Sequence, residues 1–294
     1  MLDALLDNYE TLVYPAAFFG VIAVVGFCEV FFPRRRLSVS FLLRWSHAFC
    51  LMVLNTALFR HAMPLLSIPF ALWLSERELG LFNLLEAPLW LAVLVCFWTL
   101  DLGKWTQHWL LHRVPFLWLM HRTHHVDQDY DFTTGMRFHP ADALFTVGCH
   151  LAIIALLGAP VEAVVLSELV TVATASFAHA NVKIPLPVER VLRLFLVTPD
   201  MHRVHHSRQF DETNSNFGGL VPWWDRLFGT YKDQPDAGHE GMTIGLEGFR
   251  DRKHLQVHWA LINPLLRAEP NAPARDLAPA EAAGAAVGRS RSAA

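Results

Sequence analysis

Five stretches free of acidic, lysine or arginine side chains, residues 11–28, 45–59, 87–100, 143–161 and 169–182, set the terms on which this chain can fold. Each approaches the roughly 17–25 residues that a helix needs to cross a bilayer. Hydrocarbon leaves backbone N–H and C=O groups nothing else to bond, so segments of this kind must pair those groups internally. With 53% hydrophobic and 17% charged residues, the composition agrees with a membrane protein. The reading is an all-α, polytopic membrane protein of about four to five transmembrane or re-entrant helices carrying a histidine-rich helical cap. A net charge of −3 gives no footing for a nucleic-acid partner.

In order, residues 11–32 read as a first span that ends at Pro33 and the run Arg34, Arg35, Arg36. Basic residues favour the cytoplasmic side, so the end bearing Asp3, Asp7 and Glu10 is expected outside, and the span is expected to be retained. Residues 40–61 return outward, with Arg44 and His47 expected to snorkel near the cytoplasmic start. Residues 64–75, broken by Pro64 and Pro69, are too short to cross and are expected to lie in the interface or re-enter. Residues 88–111 go back in. Residues 143–159 and 161–180 then form a hairpin turning at Gly158, Ala159 and Pro160. Cys28, Cys50, Cys96 and Cys149 lie in apolar sequence without metal-site spacing and read as space-filling. Residues 268–294, rich in Ala and Pro, read as a disordered tail.

The polar counterpart of these spans is histidine, sixteen in all and clustered. One pattern occurs twice: His121-Arg-Thr-His124-His125 and His202-Arg-Val-His205-His206. On a helix, positions i, i+3 and i+4 share a face. His108 and His112 stand at i, i+4 at the end of the third long span, on a stripe with Asp101 and Lys104, and His179 follows the hairpin. Thr198-Pro199-Asp200 has the form of a helix start immediately before His202. An odd number of crossings up to His108 and a closed hairpin after it bring all these clusters to the cytoplasmic face.

Neutral imidazole is a common transition-metal ligand. A lone histidine more often satisfies backbone or head-group oxygens, but nine clustered on one membrane face suit two ions held close together. Spacing alone accepts zinc, iron, manganese or copper. A divalent-metal transporter would place its ligands at mid-membrane on broken helices. A membrane zinc hydrolase would use about three protein ligands beside an acid. Neither fits a surplus of imidazoles at span ends.

The order His108-x-x-x-His112, His121-Arg-Thr-His124-His125, Arg137-Phe-His139-Pro140, His179-Ala-Asn181, His202-Arg-Val-His205-His206, followed by Asn214-x-Asn216-Phe-Gly218 and Trp224-Asp-Arg-Leu-Phe-Gly-Thr230, resembles the fatty acid hydroxylase superfamily, which includes sterol desaturases. The resemblance implies an integral-membrane, non-haem di-iron oxygenase that uses O2 and two external electrons to hydroxylate or desaturate an acyl chain, sterol or related lipid. It also implies a separate electron-donor protein, since no segment here offers a haem or flavin domain. The iron ligands it implies are His108, His112, His121, His124, His125, His179, His202, His205 and His206. His139 fits a further ligand or a ring-orienting donor. Some relatives carry a second histidine four residues after the equivalent of His179; here Lys183 stands there, and Asn181 is the substitute expected. Asp101, Asp200 and Glu168 are expected to orient imidazoles, with Arg44 as a partner for Glu168. The domains expected are residues 1–87 as membrane helices, 88–235 as the catalytic core and 236–267 as a cytoplasmic segment.

Overall fold

A computed structural model describes residues 8–62, 67–85 and 87–267. The tail expected at 268–294, and Pro64, lie outside the described residues. Among the described residues there is no strand, only two isolated bridges, Pro33 with Val182 and Ser207 with Ile244. Among the described residues, five helices are long and apolar enough to cross a membrane: α1 (Tyr14–Phe31), α2 (Phe41–Ala62), α4 (Leu89–Arg113), α6 (Pro140–Leu157) and α7 (Val161–Ala178). Between α2 and α4 lies α3 (Ser67–Glu76), too short to cross, with Pro69 accommodated in its first turn. The cap is built on α5 (Pro115–His125), α8 (Pro199–His205) and α9 (Trp223–Leu227).

These helices start and stop where local chemistry requires. Proline occupies the first turn of α1, α5, α6 and α8, where a missing N–H costs nothing. The α6–α7 hairpin turns at Gly158 with φ 58°, and a Cβ there would lie 2.7 Å from the Leu79 carbonyl oxygen, so glycine is required twice over. Inside the bundle α4 packs against α5, α6 and α7, while α1 packs on α7. One apolar core joins Ile68, Ala71 and Leu74 of α3 to Cys96, Leu100, Ile154 and Val164. The outer faces are the reverse of a soluble protein: Phe19 is 62% exposed, Val30 71%, Trp90 68% and Leu156 74%. Hydrocarbon rather than water suits that surface.

The connection from α1 to α2 runs across the same end of the bundle as the histidines. Arg34 N–H donates to the Asn181 carbonyl at 3.0 Å, Lys183 N–H to the Phe32 carbonyl at 2.8 Å, and the Asp129 carboxylate accepts from the Ser38 and Val39 N–H groups, both at 2.8 Å.

Arg44 corrects an expectation. It does not snorkel and does not meet Glu168; it is fully buried. Its Nε and Nη2 bond the two Asp127 carboxylate oxygens at 3.0 and 2.8 Å, and its Nη1 reaches Asp131. A helical start that would have been free to snorkel is instead roofed by the loop after α5, which supplies both acids. Burial would raise the Asp127 carboxyl, but Arg44 outweighs it and holds that group below its ordinary range. Glu168 meets Tyr9, whose hydroxyl donates to its Oε2 at 3.0 Å.

Candidate metal centre

Both copies of the doubled pattern lie at the ends of short helices. α5 carries His121, His124 and His125 on its buried last turns, and α8, capped by the Thr198 hydroxyl accepting from the Met201 N–H, carries His202 and His205 with His206 at its end. The two short helices distribute these rings over two groups. His108, His112, His121, His125 and His205 form one, and His124, His179, His202 and His206 the other; in each group one ligand atom per residue lies within 4.8 Å of the rest. Both α5 and α8 contribute to both groups, so the groups abut: His125 stacks on His206 with ring centroids 4.6 Å apart, and His124 meets His206 at 4.6 Å.

Hydrogen bonds turn the rings inward. His108 Nδ1 lies 2.9 Å from the Phe217 carbonyl, His121 Nδ1 2.8 Å from Asp142 Oδ2, His179 Nδ1 2.8 Å from the Ala175 carbonyl, and His205 Nδ1 2.8 Å from the Ser215 carbonyl. Each partner oxygen accepts only, so each Nδ1 carries the proton and donates. That tautomer leaves Nε2 with its lone pair. In the five-membered group every Nε2, those of His108, His112, His121, His125 and His205, is buried without a hydrogen-bond partner. In the four-membered group His179 Nε2 lies 3.3 Å from His124 Nε2 and 3.1 Å from His202 Nε2, so three ring nitrogens cluster.

Burial first, and then neighbouring imidazoles, push His124, His125, His202, His205 and His206 well below the ordinary histidine value. His179 falls to about 4, again through burial, against a smaller upward pull from the Ala175 carbonyl. Neutral, inward-aimed imidazoles with orphaned nitrogens are a donor set for transition-metal ions, five nitrogens in one group and four in the other. Orphaned buried nitrogens in such number are costly without a cation to accept their lone pairs.

The other expected residues do different work. His139 caps α6, its Nδ1 accepting from the Ala141 N–H at 3.0 Å while its Nε2 lies 3.1 Å from the Leu261 carbonyl, so both nitrogens are committed away from the rings. The Asn181 side chain brackets Arg35, accepting from its N–H at 3.0 Å and donating to its carbonyl at 2.8 Å. Asp101 accepts from the Trp224 indole at 2.8 Å. Asp200 holds Arg34 and Arg203 and lies 3.4 Å from His239 Nε2, a ring outside both groups. Glu168, as above, is bonded to Tyr9.

Sequence reasoning missed Asp142 and the backbone carbonyls of Ala175, Ser215 and Phe217. Asp142 had one signal, an acid in the first turn of a helix starting at His139-Pro140. Ser215 and Phe217 are placed by the motif around Asn216, which sits at φ 53° and bonds Met201 and Lys232 through its side chain. Asp225 then accepts from the Phe217 and Gly218 N–H groups at 2.9 and 2.8 Å, locking the loop that orients His108.

Residues 93–230 match the family model described as fatty acid hydroxylase. The chain is 34% identical over 149 residues to an ornithine lipid hydroxylase of Rhizobium tropici, covering 50% of this chain and 43% of that protein. It is 30% identical over 164 residues to the human alkylglycerol monooxygenase, covering 55% of this chain and 35% of that protein. The chain thus spans less than half the length of these curated relatives. No solved structure matches it. The segment that matches the fatty acid hydroxylase family model, residues 93–230, is the one that assembles both imidazole groups.

Proposed function

We propose that this protein is an O2-dependent lipid hydroxylase holding two iron ions, one in each imidazole group, fed by two electrons from a separate donor protein. The observation that carries the reading is the convergence of five partnerless Nε2 atoms beside a second group of four histidines. The ligands are His108, His112, His121, His125 and His205 for one ion, and His124, His179, His202 and His206 for the other. Hydroxylation is favoured over desaturation because the relatives are named as hydroxylase and monooxygenase.

Two bound irons would supply the redox chemistry that no side chain can: a C–H bond and O2, with two electrons and two protons, give C–OH and water. The chain's own part is to position and insulate. Asp142 and the three carbonyls fix the ring tautomers. Tyr130, whose hydroxyl donates to the Ala178 carbonyl at 2.6 Å, lies flat against His179 with ring centroids 5.8 Å apart and closes one side from water. Phe217 packs on His108, His112 and His205 and closes another. The reading places this end of the bundle on the cytoplasmic side, supported by the arginine run bonded beside Asn181, and assigns residues 88–235 as the catalytic core.

The test is growth under labelled O2 with the intact protein and with H124A and H205A, followed by lipid extraction and metal analysis. A lipid hydroxyl labelled only with the intact protein, together with two irons per chain, is expected. New unlabelled unsaturation would select desaturation instead. No lipid difference between intact and variant cells would end the proposal.

A further inference from the structure

The short helix Leu186–Leu192 and its continuation to Phe195 are built the wrong way round for a segment facing water. Its acid turns inward: Glu189 is buried and accepts from Thr198 Oγ1 at 2.8 Å and from Arg193, which is buried with it. Its apolar side chains turn outward, and Leu186, Val191, Leu194 and Phe195 are each more than half exposed. α9 repeats the arrangement beside it, with Asp225 sealed in the protein while Leu227 and the following Phe228 are more than half exposed.

These two segments form one surface, and it continues the flank of a span. The Trp223 indole donates to the Leu194 carbonyl at 2.7 Å, and Arg226 Nη2 to the Arg193 carbonyl at 3.3 Å. Trp223 stacks on Trp98 of α4 with ring centroids 5.3 Å apart, Phe228 stacks on Trp105 at 4.5 Å, and between them the Trp224 indole donates to Asp101 at 2.8 Å. At 1.5 Å per residue, that seam covers α4 from about 15 Å to about 4.5 Å short of His108. Trp98 lies in the uncharged stretch 87–100. α9 is therefore level with the apolar part of α4, not stacked beyond its end.

Two further features suit hydrocarbon rather than water. Where solvent is absent, backbone groups need partners within the protein. Pro185 and Pro187 bring no N–H, and the Arg193 and Leu194 carbonyls past the helix end are met by the side chains of Arg226 and Trp223. Within residues 186–195 and 223–228 the exposed charges are Arg190 and Arg226 alone, and an arginine can reach phosphate oxygens while its stem stays in the apolar layer. Aromatic and basic side chains together suit the membrane–water boundary.

We propose that residues 186–195 and 223–228 form a monotopic face seated in the phospholipid leaflet on the histidine side, with its apolar side chains among the acyl chains. The occupant is lipid rather than a second copy of the chain or another protein. The fold thus meets the membrane through its cap as well as through its spans.

Single fluorescent NBD labels, carried on an unnatural side chain at Val191 or at Leu227, test this in the full-length protein in phospholipid nanodiscs. Leu156 of α6, 74% exposed, serves as the lipid-facing control, and Asp236, with its side chain 77% exposed, as the water-facing one. Both cap labels should lose most of their emission to nitroxide-bearing acyl chains and little to iodide, as at Leu156. Iodide quenching like that at Asp236, at either position, overturns the proposal. Shielding from both quenchers means that protein covers the face, and overturns it too. Should a label lower the thermal midpoint, the unaltered protein decides. A phospholipid carrying a diazirine midway along its acyl chain should then mark peptides holding residues 186–195 and 223–228 as well as the spans. Marks confined to the spans would sink the proposal.

Discussion

Asp142 Oδ2 lies 2.8 Å from His121 Nδ1, and both side chains are sealed from solvent. A carboxylate accepting from one ring nitrogen makes the other a better donor to a metal, and the loss of such a partner typically costs about 10–100-fold in metal affinity. D142A is expected to lose iron in that range, read by competition with a calibrated chelator. D142N keeps an acceptor oxygen without the charge and should lose less. Equal affinity in all three proteins would mean that the contact does not tune the ligand.

Gly135 stands against the other group. A Cβ at this position would lie 3.0 Å from His179 Nδ1 and 3.2 Å from its Cγ. Neither side has room to yield: Gly135 belongs to a short helical turn capped by Asp131, and the His179 ring is already bonded to Ala175. Overpacking of this kind costs about 1–3 kcal/mol. G135A is expected to keep the iron of the five-histidine group and to lower occupancy of the other, giving closer to one iron than two per chain by elemental analysis. Full occupancy would show that His179 can shift without leaving the metal.

How much of this was legible in the chain follows from the range of each interaction. The i, i+3, i+4 spacing on α5 and α8 is local; the rings it brings together are all buried, but each copy divides between the two groups, His124 parting from His121 and His125, and His205 from His202 and His206. The five spans were equally local, since length and apolarity alone define them. What failed were pairings fixed by tertiary contact. Arg44 finds acids 83 and 87 residues away, and Glu168 finds a tyrosine at a separation of 159. Asp101 shares a helical stripe with His108, yet the His108 ring turns to a carbonyl of Phe217. A backbone carbonyl leaves no mark in a sequence, so three of the four ring-orienting acceptors could not be named beforehand.

The buried Arg44 cluster gives a stability prediction. Removing the guanidinium leaves Asp127 without its cation in a sealed site, and stranding one member of a buried pair costs about 3–5 kcal/mol. R44M should lower the thermal midpoint of the detergent-solubilised protein and reduce iron retention, because Asp127 follows His125 by two residues. The triple variant R44M/D127N/D131N removes the stranded charges and should recover part of the midpoint. A triple variant no more stable than R44M would mean that shape, rather than charge, holds this loop.

The depressed imidazoles set a pH window for metal retention. Metal binds the neutral ring, so protons compete only once the pH nears the value of the metal-free site. An exposed histidine site would begin to lose metal below about 6.5. Here burial pulls His179 down to about 4, and the five other rings outside the spans lie well below the ordinary value because burial disfavours their charged form. Apparent iron affinity is therefore expected to stay nearly flat from pH 8 to about 5 and then to fall steeply, since several imidazoles must be protonated together for an ion to leave. Chelator competition across that range measures both features. Gradual loss centred near 6.5 would show the rings to be open to water, and the sealed, neutral donor set on which both proposed metal sites depend would be lost with it.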